Sequence, residues 1–292
     1  MSVSPTEENP VYLGKALYEY VIGTGVNSIS RTQSMSIGQQ LQAGIRYFDL
    51  RVYYDDRDQM FYTQHALRGP ALKDVLYQIR DFFNLRPTSG ELVFAVLSHA
   101  NLDLFPDHLS DLITLIKQCL RPENIYCPSN EELFSFESLA TTVLGDITKG
   151  VPKVMFINAD CASYNYDEIV TNTPGYAGAP WTGDLHTTDE LAEREGPELL
   201  NHPDPLWSVS WSLAADIPGI IQANLVLLTG AEMWALRDLA IVANKALRGF
   251  LDEFGGAKAK FNVVTVDWPE CGDSETVAEM IIRMNYANSR EW

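Results

Sequence analysis

The stretch IRYFDLRV, residues 45–52, decides the fold, because apolar and polar side chains alternate along it. Neighbouring side chains of a β-strand point to opposite faces. Phe48 and Leu50 therefore share an apolar face that packs, whereas Asp49 and Arg51 share the other face. Burying an acid and a guanidinium is costly unless they pair with each other or meet a ligand. The stretch predicts a strand that ends either in a structural Asp–Arg pair or in an anion-binding site.

Strand and helix patterns alternate along the rest of the chain. ELVFAVLSHA, residues 91–100, is the nearly unbroken apolar run expected of a parallel strand that is covered on both faces. Residues 69–84 carry apolar side chains at helical spacing. Further strands are predicted within 18–24, 151–160, 206–214 and 261–270, and further helices within 32–44, 106–120, 231–254 and 276–288. This alternation predicts a parallel α/β fold, for which a barrel and an open sheet compete.

The segment that follows the first predicted strand favours the barrel. IGTGVNSIS, residues 22–30, is neither GxGxxG nor a Walker sequence, so the phosphate loop of a nucleotide-binding open sheet is missing. The chain has no Gly/Ser linker, low-complexity tract or internal repeat, so we expect residues 1–292 to form a single domain. Residues 161–205 are rich in Gly, Pro, Thr, Asn and Asp and are predicted to be loops, the best candidate for a substrate lid.

Composition narrows the classes of partner. The net charge of −18 and the pI near 4.6 argue against binding of nucleic acid through phosphate contacts and against stable insertion into an anionic membrane. No run approaches the roughly 20 apolar residues of a membrane span, and the N-terminus lacks the pattern of a signal peptide. We expect a cytoplasmic protein, with secretion open if the chain was trimmed. The four cysteines show no CxxC spacing, so neither a metal site nor a cofactor is expected.

Three polar residues follow predicted strands, where the catalytic mouth of a barrel opens. His65 follows MFYTQ, His99 ends AVLSH, and Asp267 follows NVVTV. An imidazole exchanges protons near neutral pH, and a carboxylate can orient it or take a proton itself. Trp211 and Tyr164 are further candidates for contact with a substrate. Ordinary packing explains each of these residues equally well when it is taken alone.

Together these segments resemble a known family. SISRTQSMSIGQQLQAGIRYFDLRV (28–52), YTQHALRG (62–69) and NVVTVDWPE (262–270) are similar to the X domain of phosphatidylinositol-specific phospholipases C, and most of all to its calcium-independent bacterial and fungal members. The resemblance implies an irregular TIM barrel. It also implies a lyase-type reaction in which a neighbouring inositol hydroxyl attacks phosphorus and forms a cyclic phosphate.

The resemblance also implies roles for single residues. Arg51 matches the arginine that binds the phosphate, and His65 matches the histidine that protonates the leaving oxygen. Asp267 matches the aspartate that supports the other catalytic histidine, and Asp49 matches the acid of the FD-R motif. Because the calcium-dependent members carry an acidic metal ligand where Arg51 stands, the resemblance implies metal-independent acid–base catalysis, with the guanidinium in the electrostatic role of the cation.

One departure from the family changes the expected function. Aligned without a gap to IPGTHNS, residues 22–28 (IGTGVNS) put Val26 where the family has its general-base histidine, and Asn27 at the next position. Loss of a general base typically costs about 10²- to 10⁴-fold in rate. Three hypotheses follow: a repurposed lyase or cyclase acting on a non-phosphoinositide small molecule through His65, Arg51 and Asp267; a residual phosphodiesterase with Asp267 or His99 as base; and a pseudoenzyme that only binds a ligand.

Overall fold

The computed structural model describes residues 31–65, 67–98, 105–127, 142–158, 170–172, 185–201, 208–214, 235–254, 263–272 and 274–288. The strand predicted within 18–24 lies outside the described residues. So do four residues of the predicted site and its alignment: Val26, Asn27, His99 and Tyr164.

The described strands form two sheets. The larger sheet contains β1 (Tyr47–Asp55), β2 (Met60–His65), β3 (Leu67–Ala71), β4 (Leu92–Ser98), β5 (Lys153–Asn158) and β6 (Val170–Asn172) in the order β3-β2-β1-β4-β5-β6. Strands β1, β4, β5 and β6 run parallel, and β2 and β3 add an antiparallel edge. The smaller sheet pairs β7 (Ser208–Ser210) with β8 (Val263–Thr265) in parallel.

Helices connect these strands, as the predicted alternation requires. They are α1 (Ile37–Gln42), α2 (Leu72–Leu85), α3 (Phe105–Cys119), α4 (Leu144–Thr148), α5 (Thr188–Asn201), α6 (Ala235–Phe254) and α7 (Val277–Asn288). Helix α1 begins at a capping box between Ser36 and Gln39. Gly44, with φ +102°, ends its turn in a conformation that glycine adopts without strain.

The larger sheet buries both faces in its parallel part. Residues that are paired in a parallel sheet share a face, so Leu50 and Leu97 lie on one side and Asp49 and Val96 on the other. The side of Leu50 packs against α2 and α3, where the six apolar residues predicted for α2 are all buried: Leu72, Val75, Leu76, Ile79, Phe82 and Phe83. The opposite side carries a smaller apolar cluster: Leu92, Val96, Ile147, Met155 and Ile157. Asp49 and Arg51 therefore stand on the face of the smaller cluster.

The smaller sheet packs its own cluster against α5, α6 and α7. Trp211 belongs to this cluster: it is 1% exposed, its ring stacks on Phe250 at 4.4 Å, and its indole N–H donates to the carbonyl of Ala243 at 2.7 Å. The ring is enclosed and its only polar atom is used. The prediction that Trp211 contacts substrate is therefore replaced by a packing role.

Two predicted boundaries were wrong. Residues 161–205, predicted as loops, contain β6 and α5. Helix α5 was missed because Gly196, Pro197 and the buried Glu195 break its apolar spacing. The helix predicted over 32–44 begins only at Ile37.

Candidate active site

Arg51 occupies the last position at which β1 pairs with β4. The parallel ladder ends with Arg51 opposite Ser98, and β1 then continues from Val52 to Asp55 as one arm of the hairpin with β2. Asp49 lies two residues earlier on the same face and is exposed, while Arg51 is partly exposed. At about 3.3 Å per residue the two Cα atoms are about 7 Å apart along the strand. An acid and a cation therefore stand at the carboxyl end of a parallel strand, on the side of an apolar layer.

Asp267 stands at the carboxyl end of β8, on the face away from the helices. The β7–β8 ladder pairs Ser210 with Thr265, and the Trp211 N–H donates to the Thr265 carbonyl at 2.9 Å. Val264 and Val266 pack on the helix side. By alternation Asp267 then lies on the other side, together with Thr265. This is the side on which a barrel opens its catalytic mouth.

The carboxyl group of Asp267 lies within the electrostatic reach of β1. Burial, which disfavours the charged carboxylate, raises the pKa of Asp267 from its ordinary value to about 7. The positive charge of Arg51 lowers this pKa and the negative charge of Asp49 raises it, and both effects are smaller than that of burial. The charges of Asp49 and Arg51 therefore act on Asp267, although both residues lie more than 200 positions before it in the sequence. A carboxyl group with a pKa near 7 is present in both protonation states at neutral pH.

His65 ends β2, next to the same end of β1. The ladder between β1 and β2 reaches the Val52–Thr63 pair, two residues before His65. On its other side, β2 pairs His65 with Leu67, after a shift of register between Tyr62 and Gln64. Strict alternation from Thr63 would turn His65 toward the face of Val52 rather than that of Arg51. The strand register alone does not bring the imidazole to the face of Arg51.

Two residues near Asp267 were missed in the sequence. Alternation along β7 gives Ser212 the same face as Ser210, which pairs with Thr265, so Ser212 follows β7 on the face away from the helices. The alternation of small and large residues in SVSWS was a visible signal for this. Asn244 of α6 donates from Nδ2 to the carbonyl oxygen of Asp267 at 3.0 Å. No sequence pattern pointed to it, because a single amide in an amphipathic helix has no distinguishing spacing.

Asp267→Asn is expected to flatten the pH dependence of stability between pH 4 and pH 7. In this range the carboxyl group of Asp267 keeps its proton in the folded protein and has lost it in the unfolded chain. Its favourable contribution to the free energy of unfolding is therefore largest below pH 4 and decreases as the pH rises to 7. The variant should lack this term, a slope of up to about 1.4 kcal/mol per pH unit. Urea unfolding at half-unit pH intervals measures it.

Glu195→Gln gives a second buried carboxyl group, outside the proposed site, and serves as the control for catalysis. Burial also raises the pKa of Glu195 to about 7, and this residue of α5 is fully buried. Its replacement should flatten the stability profile in the same direction, yet leave catalysis unchanged. An Asp267→Asn profile that is parallel to that of the parent protein would mean that Asp267 is charged in the fold at pH 5.

Within the described residues, no group of three or more His, Cys, Asp or Glu side chains is arranged to hold a metal ion. Among the helices described, none combines the length and apolar character needed to cross a membrane.

The chain resembles curated proteins over a limited stretch. No protein-family model matches it. It is 42% identical over 72 residues to the human PI-PLC X domain-containing protein 2, a match that covers 24% of this chain and 23% of the human protein. It is 34% identical over 70 residues to the variant-surface-glycoprotein phospholipase C of Trypanosoma brucei brucei, covering 24% of this chain and 20% of that protein. The match thus spans less than a quarter of either relative.

Solved structures extend the likeness to most of the chain. A mutant of the phosphatidylinositol-specific phospholipase C of Staphylococcus aureus superposes with a TM-score of 0.58 at 14% identity, over 88% of this chain and 85% of that chain. The corresponding enzyme of Listeria monocytogenes gives a TM-score of 0.55 at 16% identity, over 86% and 84%. This likeness confirms the predicted fold, an α/β structure of the irregular TIM-barrel type. In fold, and over the shorter stretch of sequence likeness, the chain is similar to PI-PLC X-domain proteins.

Proposed function

We propose that this protein cleaves a phosphodiester by general acid–base catalysis within one molecule of substrate. The observation that supports the proposal most strongly is the carboxyl group of Asp267, whose pKa of about 7 places it between acid and base at neutral pH, within reach of the Arg51 charge. A proton acceptor beside a fixed cation suits the attack of a hydroxyl group on a phosphorus centre that carries negative charge.

The proposed reaction is an internal displacement. Deprotonated Asp267 takes the proton of a substrate hydroxyl, whose oxygen then forms a bond to phosphorus. The bond between phosphorus and the leaving oxygen breaks, and His65 gives that oxygen a proton, so the products are a cyclic phosphate and a free alcohol. Arg51 binds the non-bridging phosphate oxygens, on which negative charge accumulates, and Asp49 orients Arg51. No water and no metal ion is needed to balance this step.

The names of the relatives support inositol phospholipids as the substrate class. One curated relative is a PI-PLC X domain-containing protein, another is a phospholipase C named for a surface glycoprotein, and the structural neighbours are phosphatidylinositol-specific. A substrate of this class carries the hydroxyl next to the phosphodiester that the proposed displacement requires.

A second function is favoured by Val26. If the alignment of residues 22–28 holds, the usual imidazole base is missing, and the remaining set of His65, Arg51 and Asp267 would serve a lyase or cyclase reaction on a different small anionic substrate. The two functions share the anion site and the acid–base pair. They differ in the molecule that enters the mouth.

Turnover of phosphatidylinositol separates these functions. The purified protein is incubated with mixed micelles of the lipid, and the water-soluble product is analysed by ³¹P NMR. The proposed function predicts a cyclic inositol phosphate, its loss in Asp267→Asn, and its retention in the control Glu195→Gln. Absence of product, together with a thermal shift by inositol phosphates that requires Arg51, would support a ligand-binding protein. Absence of both product and shift would support the repurposed enzyme.

A further inference from the structure

The turn that follows Asp267 is bound to two separate parts of the protein. We call residues 267–271 the aspartate turn. Within it, the Cys271 N–H donates to the Trp268 carbonyl at 2.8 Å. On one side, the Trp268 N–H donates to the Thr32 carbonyl at 3.0 Å and the indole N–H donates to the Arg31 carbonyl at 3.2 Å. These bonds join the turn to the segment that leads into α1.

Helix α6 holds the turn from the other side through one residue. Asn244 is 4% exposed, and its Nδ2 donates to the Asp267 carbonyl at 3.0 Å and to the Trp268 carbonyl at 2.9 Å. An amide nitrogen has two hydrogens, so both are used on two successive carbonyls. The two acceptors also fix which end of the amide is nitrogen, since an oxygen in that place would face two other oxygens.

The turn is costly to the fold at two points. Trp268 has φ +45°, in the left-handed region that a bulky side chain rarely adopts. The Oδ1 atom of Asn244 is buried and has no hydrogen-bond partner among the described residues, which leaves a desolvated acceptor unpaired there. Local costs of this kind persist only where the surrounding structure enforces them, and they concentrate at functional sites. The first cost falls on Trp268, the residue next to Asp267. The second falls on Asn244, whose side chain binds the Asp267 carbonyl.

We propose that Asn244 is a positioning residue that, with the left-handed backbone of Trp268, fixes where the carboxyl group of Asp267 points in the mouth. Asp267 lies between a strand and a sharp turn. The direction of its side chain therefore depends on two peptide bonds, the one that precedes Asp267 and the one that joins it to Trp268. The amide of Asn244 holds the second of them. The charged groups that act on Asp267 from β1 are Arg51 and Asp49. Fixing the carboxyl group sets its distance to both and keeps it away from water.

The test compares Asn244→Ala with Asn124→Ala. Asn124 is a matched control, because it is 6% exposed and donates from Nδ2 to the Pro152 carbonyl at 2.8 Å, at the opposite end of β5 from the mouth. The titration of Asp267 is followed by ¹³C NMR of its carboxyl carbon, assigned by its absence in Asp267→Asn. This readout needs no substrate and is independent of the proposed function.

Asn244→Ala is expected to lower the titration midpoint of Asp267 by about one unit or more, toward its ordinary value, because a loosened turn admits water. Asn124→Ala should leave that midpoint unchanged while it lowers Tm by a similar amount. The kinetic part rests on the proposed function: with phosphatidylinositol, kcat should fall about tenfold with KM within about twofold. Asn244→Ser, which keeps one donor, should fall between the parent protein and Asn244→Ala, and it replaces Asn244→Ala if that variant does not fold.

An unchanged midpoint in Asn244→Ala, or in Asn244→Ser as its substitute, would overturn the positioning role, whatever the loss of Tm. A shifted midpoint in a protein that turns over no phosphodiester would overturn the proposed function and leave the positioning role standing. The two ideas therefore fail on different measurements.

Discussion

Arg51→Ala is expected to lower kcat/KM for phosphatidylinositol by about 10³-fold. The guanidinium is the fixed cation of the proposed site, and removal of one preorganised donor to a developing negative charge typically costs about 10²- to 10³-fold. Arg51→Lys should recover part of the rate, because it keeps the charge and loses the planar pair of donors that matches two phosphate oxygens. Initial rates at several lipid concentrations separate the effects on kcat and KM.

Arg80→Ala is the control for loss of one positive charge. Arg80 lies on α2, where it pairs with the neighbouring Asp81 at 2.9 Å, and its replacement should leave the rate unchanged. Arg51→Ala should also raise the pKa of Asp267 above 7, because the charge that lowers this pKa is gone. The alkaline shift is measurable without substrate. If Arg51→Ala and Arg80→Ala are equally active, Arg51 is a structural partner in a strand and not a phosphate ligand.

The strands that carry the site were predictable because each has a simple pattern. Alternation in residues 45–52 gave β1 and the shared face of Asp49 and Arg51, and the apolar run in 91–100 gave the buried strand β4. Even the meeting of Asp267 with β1 follows from topology, since the carboxyl ends of barrel strands converge on one mouth. The spacing of apolar residues predicts the type of each element and the face on which each side chain lies, because both depend on the burial of apolar area.

The parts that escaped prediction depend on single tertiary contacts. Helix α5 has the buried Glu195 at its centre, and this acid interrupts the apolar periodicity of the helix. The fold accommodates Glu195 because its carboxylate accepts a hydrogen bond from the Ser210 N–H. Tryptophan is a residue type that often binds ligands, but the stacking of Trp211 on Phe250 places its ring in the core. Asn244 matters only through two carbonyls 23 and 24 positions away. Such tertiary contacts depend on how the helices pack on the sheet, and the spacing of residues along the sequence does not predict this packing.

The side of β2 on which His65 lies is a further case. Alternation from Thr63 turns His65 toward the face of Val52, and the register shift leaves this direction unchanged, because its extra residue lies in β3 between Arg68 and Ala71. The role of His65 is therefore best decided by its chemistry, since a general acid affects substrates according to the leaving group.

His65→Ala is expected to lower kcat for phosphatidylinositol by about 10²- to 10⁴-fold, the range for loss of a general acid. The leaving oxygen of the lipid is an alkoxide that departs only with a proton, whereas a nitrophenolate departs without one. The defect should therefore shrink to about tenfold or less for an inositol nitrophenyl phosphate. His108→Ala is the control, because His108 stacks on Tyr54 at 3.8 Å, on the face of β1 opposite to Arg51. Equal losses of His65→Ala on both substrates would assign His65 to binding, and activity equal to that of His108→Ala would require the acid to be sought elsewhere in the mouth.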